Sequence, residues 1–598
     1  MPIAKQLPGP ETIAKHLPRP ETAAAKPPRP TSRRRPRWRG IPRIVLLAIA
    51  AGLVAAGDTQ RAPAAPRLVV VISVDQWAYQ YFQRFAGNFP RNGFVNRVQS
   101  EGAWYSECHH GHAFTYTAPG HAVLLTGAYP ERTGIVDNEW FDRVADKEVY
   151  CVADQDATLV GAIVTDAPVS PRPLLAETVG DRLKYATQGK AKVFGVAIKD
   201  RASILMVGRQ GDAAFWMSAD GQWITSSFYR PNIPPYLRLF NEQKVNASYA
   251  RREWQLMLPH DQYVHGVTED SFGERPVNGM TADFPHVLAE AADASFIKQL
   301  ACSPFGNEIA LRTALLVAIE EQLGQDDDPD LLVINLSSND YVGHSFGPDS
   351  LEAEDMTYRT DRMLEAFRQR IDEQLKGAAW TIYVTADHGI CPIPERIQRQ
   401  HGSAERDPFG AVDERGNYEQ LRAAMENHLR RQLAVTASPR NLIQAVTDNQ
   451  VYLAGEHPEL VGSRYDLAQQ ICRDWLLRSE LIGAAFTRHD LSAISETGEG
   501  LENAFRRSFH AGRCGEILFA KKPFFINGTA GTTHGSPWNY DTHVPLMIWE
   551  HSASTGPKIA RGVFFERVSP AAIAPTIARQ LGIDPPAECQ VAPLRMSE

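Results

Sequence analysis

The chain has 598 residues, of which 43% are hydrophobic and 22% are charged, and its net charge is −8. This composition is ordinary for a soluble globular protein, and the length fits one large α/β domain with insertions or several smaller domains. The acidic balance gives no support to a nucleic-acid-binding module, and it means that an anionic substrate needs a local cationic site.

The N-terminal part of the chain is predicted to lie outside the folded domain. Residues 1–43 are rich in Pro and Arg and contain the repeat IAKQLPGPET/IAKHLPRPET, so we expect them to be disordered. Residues 44–57, IVLLAIAAGLVAAG, follow a basic stretch and are too short for an ordinary transmembrane span. They are typical of a signal-peptide h-region, which predicts a periplasmic or secreted protein with no membrane span beyond this signal. An uncleaved N-terminal anchor is the alternative.

The first predicted strand is the apolar, β-branched run RLVVVISVD over residues 67–75, which ends in Asp75. Such a run suits a parallel strand that is buried on both faces. A helix is then predicted from TYTAPGHAVLLTG (115–127), where Thr117 occupies the position of an N-cap and Pro119 falls in the first turn. A capped helix is the simplest interpretation, and a nucleophile at Thr117 is the alternative that the rest of the chain must support.

The seven cysteines form no CxxC pair, so the sequence gives no support to a zinc ribbon. In an exported protein we expect some disulfides, and Cys108 with Cys151 is the first candidate because both flank the Thr117 segment. The histidines of CHHGH (108–112) resemble a metal cluster, but we expect them to be supporting or surface residues. We also expect His121 to support the Thr117 loop and His543 to pack.

Three further apolar runs end in residues that bind metals and phosphates. These runs are AKVFGVAIKDR (191–201, with Lys199 and Arg201), DLLVINLSSND (330–340, with Asp340 and then His344) and WTIYVTADHG (380–389, with Asp387 and His388). A fifth strand, HVPLMIWE (543–550), follows the segment that carries His534, and a helix over 351–375 supplies a crossover. The pattern predicts a doubly wound, mostly parallel α/β sheet flanked by helices, with these strand ends at one edge.

The residue types at this edge predict a metal centre. The candidate ligands are Asp75, Asp340, His344, Asp387, His388 and His534. With the Thr117 hydroxyl they are too many for one tetrahedral zinc and suit two. Asp340 and His344 have i, i+4 spacing, which puts both on one face of a helical turn. Two metals about 4 Å apart form the usual clamp for displacement at phosphorus, and one of them can hold Thr117 as an alkoxide. The sequence therefore predicts two Zn²⁺ ions and a threonine nucleophile.

Six short motifs carry a resemblance to a known family. TAPGH, GIVDN, KDR, DYVGH, TADHG and THGSP occur in the order found in the alkaline phosphatase superfamily. Within it, the chain resembles the type I phosphodiesterase/nucleotide pyrophosphatase-related branch that includes the phosphate-irrepressible alkaline phosphatases. The resemblance implies a catalytic domain over 67–598, a closing helix within 568–583, and insertions around 202–325 and 391–530 that cap the site.

The same resemblance implies a role for each site residue. Thr117 would be the nucleophile that becomes phosphorylated, and Asn138 of GIVDN would hydrogen-bond a phosphate oxygen. Lys199 and Arg201 would reach the phosphate and the leaving-group side. The implied zinc ligands are Asp75, Asp387 and His388 for the ion that binds Thr117, and Asp340, His344 and His534 for the other ion.

The Lys-x-Arg pair favours a monoesterase over the other functions that this scaffold supports. Lys199 and Arg201 lie two residues apart, so in an extended stretch both side chains would face the same side. We therefore predict a secreted two-zinc alkaline phosphatase that acts on small phosphate monoesters. A phosphodiesterase or nucleotide pyrophosphatase on the same scaffold is the alternative. An arylsulfatase is disfavoured because Thr117 occupies the nucleophile position and no Cys-x-Pro-x-Arg motif occurs. The intact Thr117 also argues against a catalytically inactive zinc-containing binding protein.

Overall fold

The structure is a computed structural model that describes residues 65–161, 167–264, 271–277, 279–401, 414–436, 438–526, 530–551, 553 and 556–597. The predicted disordered segment (1–43) and signal h-region (44–57) lie outside the described residues. Arg61–Glu598 form one compact unit. Among the described helices, none is both long enough and apolar enough to cross a membrane.

The strands are, in chain order, β1 (Leu68–Val74), β2 (Ala103–Cys108), β3 (Glu139–Asp142), β4 (Lys147–Tyr150), β5 (Leu159–Val160), β6 (Val193–Ala197), β7 (Ala213–Met217), β8 (Trp223–Ser226), β9 (Glu253–Trp254), β10 (His286–Val287), β11 (Asp330–Leu336), β12 (Trp380–Thr385), β13 (Ile443–Val446), β14 (Gln450–Leu453), β15 (Ile482–Thr487), β16 (Ile517–Lys521), β17 (Leu546–Glu550) and β18 (Gly562–Val568).

The α-helices are, in chain order, α1 (Gln80–Arg84), α2 (Phe94–Glu101), α3 (Thr117–Thr126), α4 (Pro130–Thr133), α5 (Val179–Ala186), α6 (Asp200–Val207), α7 (Pro235–Glu242), α8 (Phe296–Ala301), α9 (Pro304–Glu320), α10 (Ser338–Phe346), α11 (Leu351–Leu375), α12 (Pro394–His401), α13 (Glu414–Leu433), α14 (Ser463–Leu476), α15 (Arg488–Ala493), α16 (Leu501–Ser508), α17 (Asn539–Thr542) and α18 (Ile573–Leu581). Short 3-10 turns cover Ala86–Asn88, Val245–Tyr249, His260–Gln262 and Pro570–Ala572.

The central sheet has ten strands in the order β18–β2–β17–β12–β1–β11–β6–β7–β8–β5. Its middle strands β12, β1, β11, β6 and β7 run parallel. Every residue of β1, β11 and β12 is buried, as expected for apolar strands in the centre of a sheet that helices cover. The predicted mostly parallel α/β sheet is confirmed, and one strand on each side of this parallel centre, β17 and β8, runs antiparallel to it.

The structure gives one predicted strand a direction that the sequence left open, and it shortens another. The fifth strand is β17, which runs antiparallel to β12, so its beginning lies at the carboxyl edge of β12. The preceding segment, which carries His534, reaches the site for this reason.

The run 191–201 does not stay extended, because β6 ends at Ala197 and α6 begins at Asp200. The negative charge of Asp200 in the first turn interacts favourably with the positive end of the helix dipole. Lys199 is the N-cap of α6 and Arg201 lies in its first turn, so the extended pair was wrong.

The 391–530 segment contains a second sheet with a core of its own. β13, β14, β16 and β15 form this antiparallel sheet in that order. Its core includes Met425, Leu429, Leu442, Val451 and Ile517. The other predicted insertion, 202–325, contributes β7 and β8 to the central sheet. A capping role for either segment stays a prediction.

The predicted disulfide between Cys108 and Cys151 is wrong in this structure, where all seven cysteines are unpaired. Both residues are fully buried in the main core, and burial raises the pKa of each thiol well above its usual value. An inert, buried thiol packs as a small apolar side chain. These two cysteines therefore contribute to the core as packing residues.

Candidate active site

The six predicted ligands and Thr117 come together at the carboxyl edge of the central strands. Each reaches this edge from a different element: Asp75 follows β1, Asp340 and His344 lie in α10 after β11, Asp387 and His388 follow β12, His534 precedes α17, and Thr117 begins α3. Such an edge is where ligands bind in open α/β sheets.

Asp340, His344 and His534 form one potential metal-binding group, with one ligand atom from each lying within 4.8 Å of the others. The Nε2 atoms of His344 and His534 lie 3.2 and 3.5 Å from Asp340 Oδ1. The first turn of α10 carries Asp340 and its last turn carries His344, which puts both on one helix face. The three residues can therefore coordinate one ion.

Two overlapping groups of potential ligands lie beside Thr117: Asp75 with His121 and Asp387, and Asp75 with Asp340 and His388. His388 Nε2 lies 3.1 Å from Asp387 Oδ2, 3.5 Å from Asp75 Oδ1 and 3.4 Å from the Thr117 hydroxyl. His121 also belongs to this region, since its Nδ1 lies 3.2 Å from Asp387 Oδ2 and 2.8 Å from the carbonyl of Thr117. The second contact fits the expected supporting role of His121.

The tautomers of three histidines favour metal coordination. Nδ1 of His344, His388 and His534 lies 2.8, 3.0 and 2.9 Å from a backbone carbonyl oxygen, respectively. A carbonyl only accepts hydrogen bonds, so each Nδ1 carries a proton, and in the neutral form of each ring Nε2 has a lone pair for a metal. All three Nε2 atoms lie near the site carboxylates. A backbone partner on the far nitrogen is the usual arrangement for a metal-bound histidine.

The buried charges at the site also fit bound cations. Asp75 Oδ1 and Asp387 Oδ2 are buried without a hydrogen-bond partner in the described structure. Burial, with a contribution from Asp75, raises the pKa of Asp387 to about 7. Burial lowers the pKa of His388 and of His534 to about 4, which leaves both rings neutral and able to coordinate. Neutral imidazoles and carboxylates are a donor set that suits zinc.

Lys199 lies between the two groups of carboxylates. Its ammonium is 3.0 Å from Asp75 Oδ2 and 2.5 Å from Asp340 Oδ2. Although burial opposes the charge, the two carboxylates raise the pKa of Lys199 above its usual value. In the described structure, Lys199 contacts the ligand carboxylates, whereas the sequence predicts that it reaches the phosphate.

Thr117 is the first residue of α3, and its N-cap position is occupied by Tyr116, so the capping role considered for Thr117 was wrong. The hydroxyl of Thr117 lies 3.4 Å from His388 Nε2 and 3.5 Å from an Arg201 nitrogen. The helix start lies against the end of β12, because a Cβ at Gly120 would be 2.3 Å from the Asp387 carbonyl oxygen. Because the helix begins at Thr117, the positive end of its dipole lies beside this residue.

Asn138 and Arg201 complete the surroundings of Thr117. The backbone N–H of Ala118 donates to Asn138 Oδ1 at 2.9 Å. Arg201 also contacts the hydroxyl of Tyr150 at 3.4 Å, and that hydroxyl donates to Asp200 at 2.6 Å. Burial opposes the positive charge of Arg201, but Tyr150 and Asp200 help to raise its pKa well above the usual value. Arg201 is thus a permanent cation beside the hydroxyl of Thr117.

Sequence reasoning missed Gln76, which connects the two groups of ligands. Its backbone N–H donates to Asp387 Oδ1 at 3.2 Å, and its side-chain amide donates to Asp340 Oδ1 at 2.7 Å. Gln76 has a positive φ of 66°, which is uncommon for a residue other than glycine. The sequence feature that could have identified Gln76 is its position directly after the predicted ligand Asp75.

The CHHGH histidines do not join either group around Thr117 in the described structure. His109 lies near Glu107 and His543, in a separate group of potential metal ligands. The rings of His109 and His543 are stacked 4.1 Å apart at 17°, so one ion could not lie in the plane of both. His110 Nε2 lies 3.0 Å from the Ala386 carbonyl oxygen, which supports the strand end that precedes Asp387.

The chain is similar to a known protein family, to characterised relatives and to a solved structure. The family model described as type I phosphodiesterase / nucleotide pyrophosphatase matches residues 69–472. Alkaline phosphatase PafA of Elizabethkingia meningoseptica is 32% identical over 550 residues, which cover 90% of this chain and 95% of that protein. A protein of Myroides odoratus named calcium-transporting ATPase is 31% identical over 531 residues, covering 87% of this chain and 92% of that protein. The crystal structure of wild-type PafA superposes with a TM-score of 0.78 at 29% identity, covering 89% of this chain and 99% of that one.

Proposed function

The chain belongs to the type I phosphodiesterase/nucleotide pyrophosphatase family of the alkaline phosphatase superfamily and is a phosphatase, and on this premise we propose that it hydrolyses phosphate monoesters with Thr117 as nucleophile. The observation that carries the proposal is the arrangement of His344, His388 and His534. In each of them, Nδ1 lies at hydrogen-bond distance from a backbone carbonyl oxygen and Nε2 lies near the carboxylates of the site.

Two zinc ions are proposed for the two groups of ligands. Asp75, Asp387 and His388 would hold the ion that also binds Thr117, and Asp340, His344 and His534 would hold the other. When bound, the two ions would supply positive charge that ionises a hydroxyl and stabilises a leaving oxygen. Two buried carboxylate oxygens that accept no hydrogen bond in the described structure, and the neutral imidazoles of His388 and His534, support this assignment.

The reaction proposed for these residues has two displacements at phosphorus. In the first, the oxygen of Thr117, having lost its proton, forms a bond to phosphorus while the bond to the leaving alcohol breaks and the alcohol takes up a proton. In the second, water loses a proton as its oxygen forms a bond to phosphorus, the bond to the Thr117 oxygen breaks, that oxygen takes up a proton, and inorganic phosphate leaves. Arg201 and the N-terminal end of α3 stabilise negative charge on the non-bridging oxygens throughout.

The charge around Thr117 favours a monoester over a diester. A phosphate monoester carries about two negative charges at neutral pH, as a phosphorylated side chain does, whereas a diester carries one. Arg201 lies within 3.5 Å of the nucleophile and remains cationic, so it interacts more strongly with the doubly charged group. Asn138 is proposed to donate its amide N–H to a second oxygen, because its carbonyl is already occupied by Ala118.

A phosphodiesterase or nucleotide pyrophosphatase is the second candidate, because the matching family model carries that description. The name of the Myroides relative points to ATP, whose terminal phosphoryl group also has a single bridging bond. Small phosphate esters are therefore the proposed substrates. Export through the predicted signal at 44–57 also belongs to the proposal.

The deciding experiment compares three substrates on one metal-loaded preparation: an aryl phosphate, the matching bis-aryl diester and ATP. We expect kcat/KM to be highest for the aryl phosphate by several orders of magnitude over the diester. A preparation faster on the diester would replace the proposed function with the phosphodiesterase. Fractionation of cells that produce the full chain would test export, with mature protein outside the cytoplasm as the expected result.

A further inference from the structure

The turn between β13 and β14 contacts the residues next to the nucleophile. Asp448 and Asn449 are neighbours in this turn. The hydroxyl of Tyr116 donates to Asp448 Oδ2 at 2.5 Å, and Asn449 Nδ2 donates to Asp137 Oδ2 at 3.1 Å. The turn thus links the sheet of the 391–530 segment to two chain segments at the site.

Tyr116 and Asp137 occupy equivalent places in these two segments. Tyr116 directly precedes Thr117, and Asp137 directly precedes Asn138. The two segments also contact each other, because Ala118 N–H donates to Asn138 Oδ1 at 2.9 Å. The contacts therefore close a ring that runs through Asp448, Tyr116, Thr117, Ala118, Asn138, Asp137 and Asn449.

The turn is held firmly on its own side. Asp448 Oδ1 accepts a hydrogen bond from the hydroxyl of Tyr418 at 2.8 Å and another from the ammonium of Lys521. The backbone carbonyl of Asn449 accepts the N–H of Phe519 at 2.9 Å. Tyr418 lies in α13 and the other two residues in β16, so both elements fix the position of the turn.

The protonation states keep the contact with Tyr116 strong. Burial opposes the charge of Asp448, but Lys521 and the two tyrosine hydroxyls lower the pKa of Asp448 below its usual value. Burial and the nearby Asp448 raise the pKa of Tyr116 well above its usual value, so its hydroxyl stays a donor in alkaline solution. A hydrogen bond to a charged acceptor is stronger than one between neutral groups.

The ring of Tyr116 is also confined. A Cβ added to Gly535, which has a φ of 110°, would lie 2.3 Å from this ring. The ring meets that of His534 edge-on, with 6.0 Å between centroids. Tyr116 therefore has little room to move, and a hydrogen bond at its far end can fix the backbone at Thr117.

We propose that Asp448 and Asn449 are positioning residues, which hold Thr117 and Asn138 in the mutual arrangement that phosphoryl transfer requires. The inference rests on the proposed roles of Thr117 and Asn138 and extends them, because it makes the 391–530 segment part of the catalytic geometry. Correct alignment of reacting groups accounts for a large part of enzymatic rate, and a small misplacement is costly.

Two tyrosines provide a matched test. Tyr116 and Tyr418 each donate one hydroxyl to Asp448, but only Tyr116 belongs to the ring. We expect Tyr116→Phe to lower kcat for an aryl phosphate by about 10-fold, with KM and bound metal unchanged, because alignment and not binding is impaired. Tyr418→Phe should leave kcat within about twofold. Asn449→Leu, which keeps the approximate size but can form no hydrogen bond to Asp137, should resemble Tyr116→Phe.

Hydrogen–deuterium exchange gives a readout that is independent of turnover. Peptides covering residues 116–120 should exchange faster in Tyr116→Phe and Asn449→Leu than in the wild type, and should be unchanged in Tyr418→Phe. Equal effects of the two tyrosine changes on exchange and on kcat would overturn the inference. A wild-type protein without monoesterase activity would instead refute the proposed function, and the exchange comparison would still decide whether the ring positions Thr117.

Discussion

The guanidinium of Arg201 lies 3.5 Å from the hydroxyl of Thr117, although α6 and α3 reach the site from separate parts of the chain. Lys199, only two residues earlier, contacts Asp75 and Asp340 instead. The start of α6 at Asp200 separates the two cations. Their replacement should therefore have different consequences.

Arg201→Ala should distinguish the two ester types. We expect kcat/KM for an aryl phosphate to fall by about 10²-fold or more, as when one donor to a developing oxyanion is removed. The loss on the matching diester should be far smaller because the diester carries less charge. Lys199→Ala/Arg201→Ala should lose several orders of magnitude on the monoester. Arg238→Ala, an exposed residue of α7, is the control. Equal losses on both esters would show that Arg201 does not discriminate.

Lys199→Ala should destabilise the metal-free protein more than the metal-loaded protein. Removing the ammonium leaves the buried carboxylates of Asp75 and Asp340 uncompensated, which typically costs about 3–5 kcal/mol. Bound cations would supply the missing charge. Thermal unfolding of wild type and variant, with and without a chelator, measures this difference. A variant whose Tm falls equally in both states would contradict the prediction.

Thr117 should be essential for turnover. Thr117→Ala should reduce kcat/KM by about 10³-fold or more, whereas Thr117→Ser should keep part of the activity because it retains a hydroxyl. Steady-state assays on an aryl phosphate measure both, and mass spectrometry after acid quenching should find phosphate on Thr117 in the wild type. An alanine variant within about tenfold of the wild type would exclude Thr117 as the nucleophile.

Metal content should depend on the ligands around Thr117 and not on the CHHGH histidines. Exhaustive chelation should abolish activity and lower Tm, because an ion bound only by the folded state adds stability. Asp340→Ala and His534→Ala should each lose zinc by elemental analysis. His109→Ala and His110→Ala should retain it. Full activity after chelation, or no zinc in the wild type, would refute the two-zinc centre.

Asp137 should make stability fall as pH rises. Burial raises the pKa of Asp137 to about 8, so the folded protein keeps a proton that the unfolded chain releases from about pH 4 upward. The stability that this proton contributes is complete below the pKa that Asp137 has in the unfolded chain. Between that pKa and the pKa in the folded protein, the free energy of unfolding falls by on the order of 1 kcal/mol per pH unit. Asp137→Asn should therefore reduce the drop in Tm between about pH 5 and pH 8. An identical drop in the variant would show that Asp137 does not titrate in this range.

The sequence predicted the centre of the fold because local patterns were enough there. The helix over 351–375 has the predicted bounds, and β1, β11 and β12 lie within the predicted runs. Uninterrupted apolar stretches that end in Asp or His mark buried strands whose ends meet at one edge. The structure confirms the fold that these patterns predict, and the seven residues expected at the metal centre lie at the same edge of the sheet.

Features that depend on distant contacts were not predictable in this way. The antiparallel direction of β17 depends on its pairing with β12, and the separation of Lys199 from Arg201 depends on where α6 begins. The contact of Asp448 with Tyr116 joins residues 332 positions apart, in segments with no shared motif. No single-sequence pattern encodes such a pair.

The placement of β1 between β11 and β12 determines the order in which the fold can be completed. Leu68 in β1 pairs with Asp330 on one side and with Trp380 on the other. While the chain is being synthesised, β1 is therefore an apolar strand without its sheet neighbours until β12 has been made, up to Thr385. Unpaired apolar strands associate readily with other chains. The yield of native protein will consequently depend on what shields β1 during synthesis and refolding.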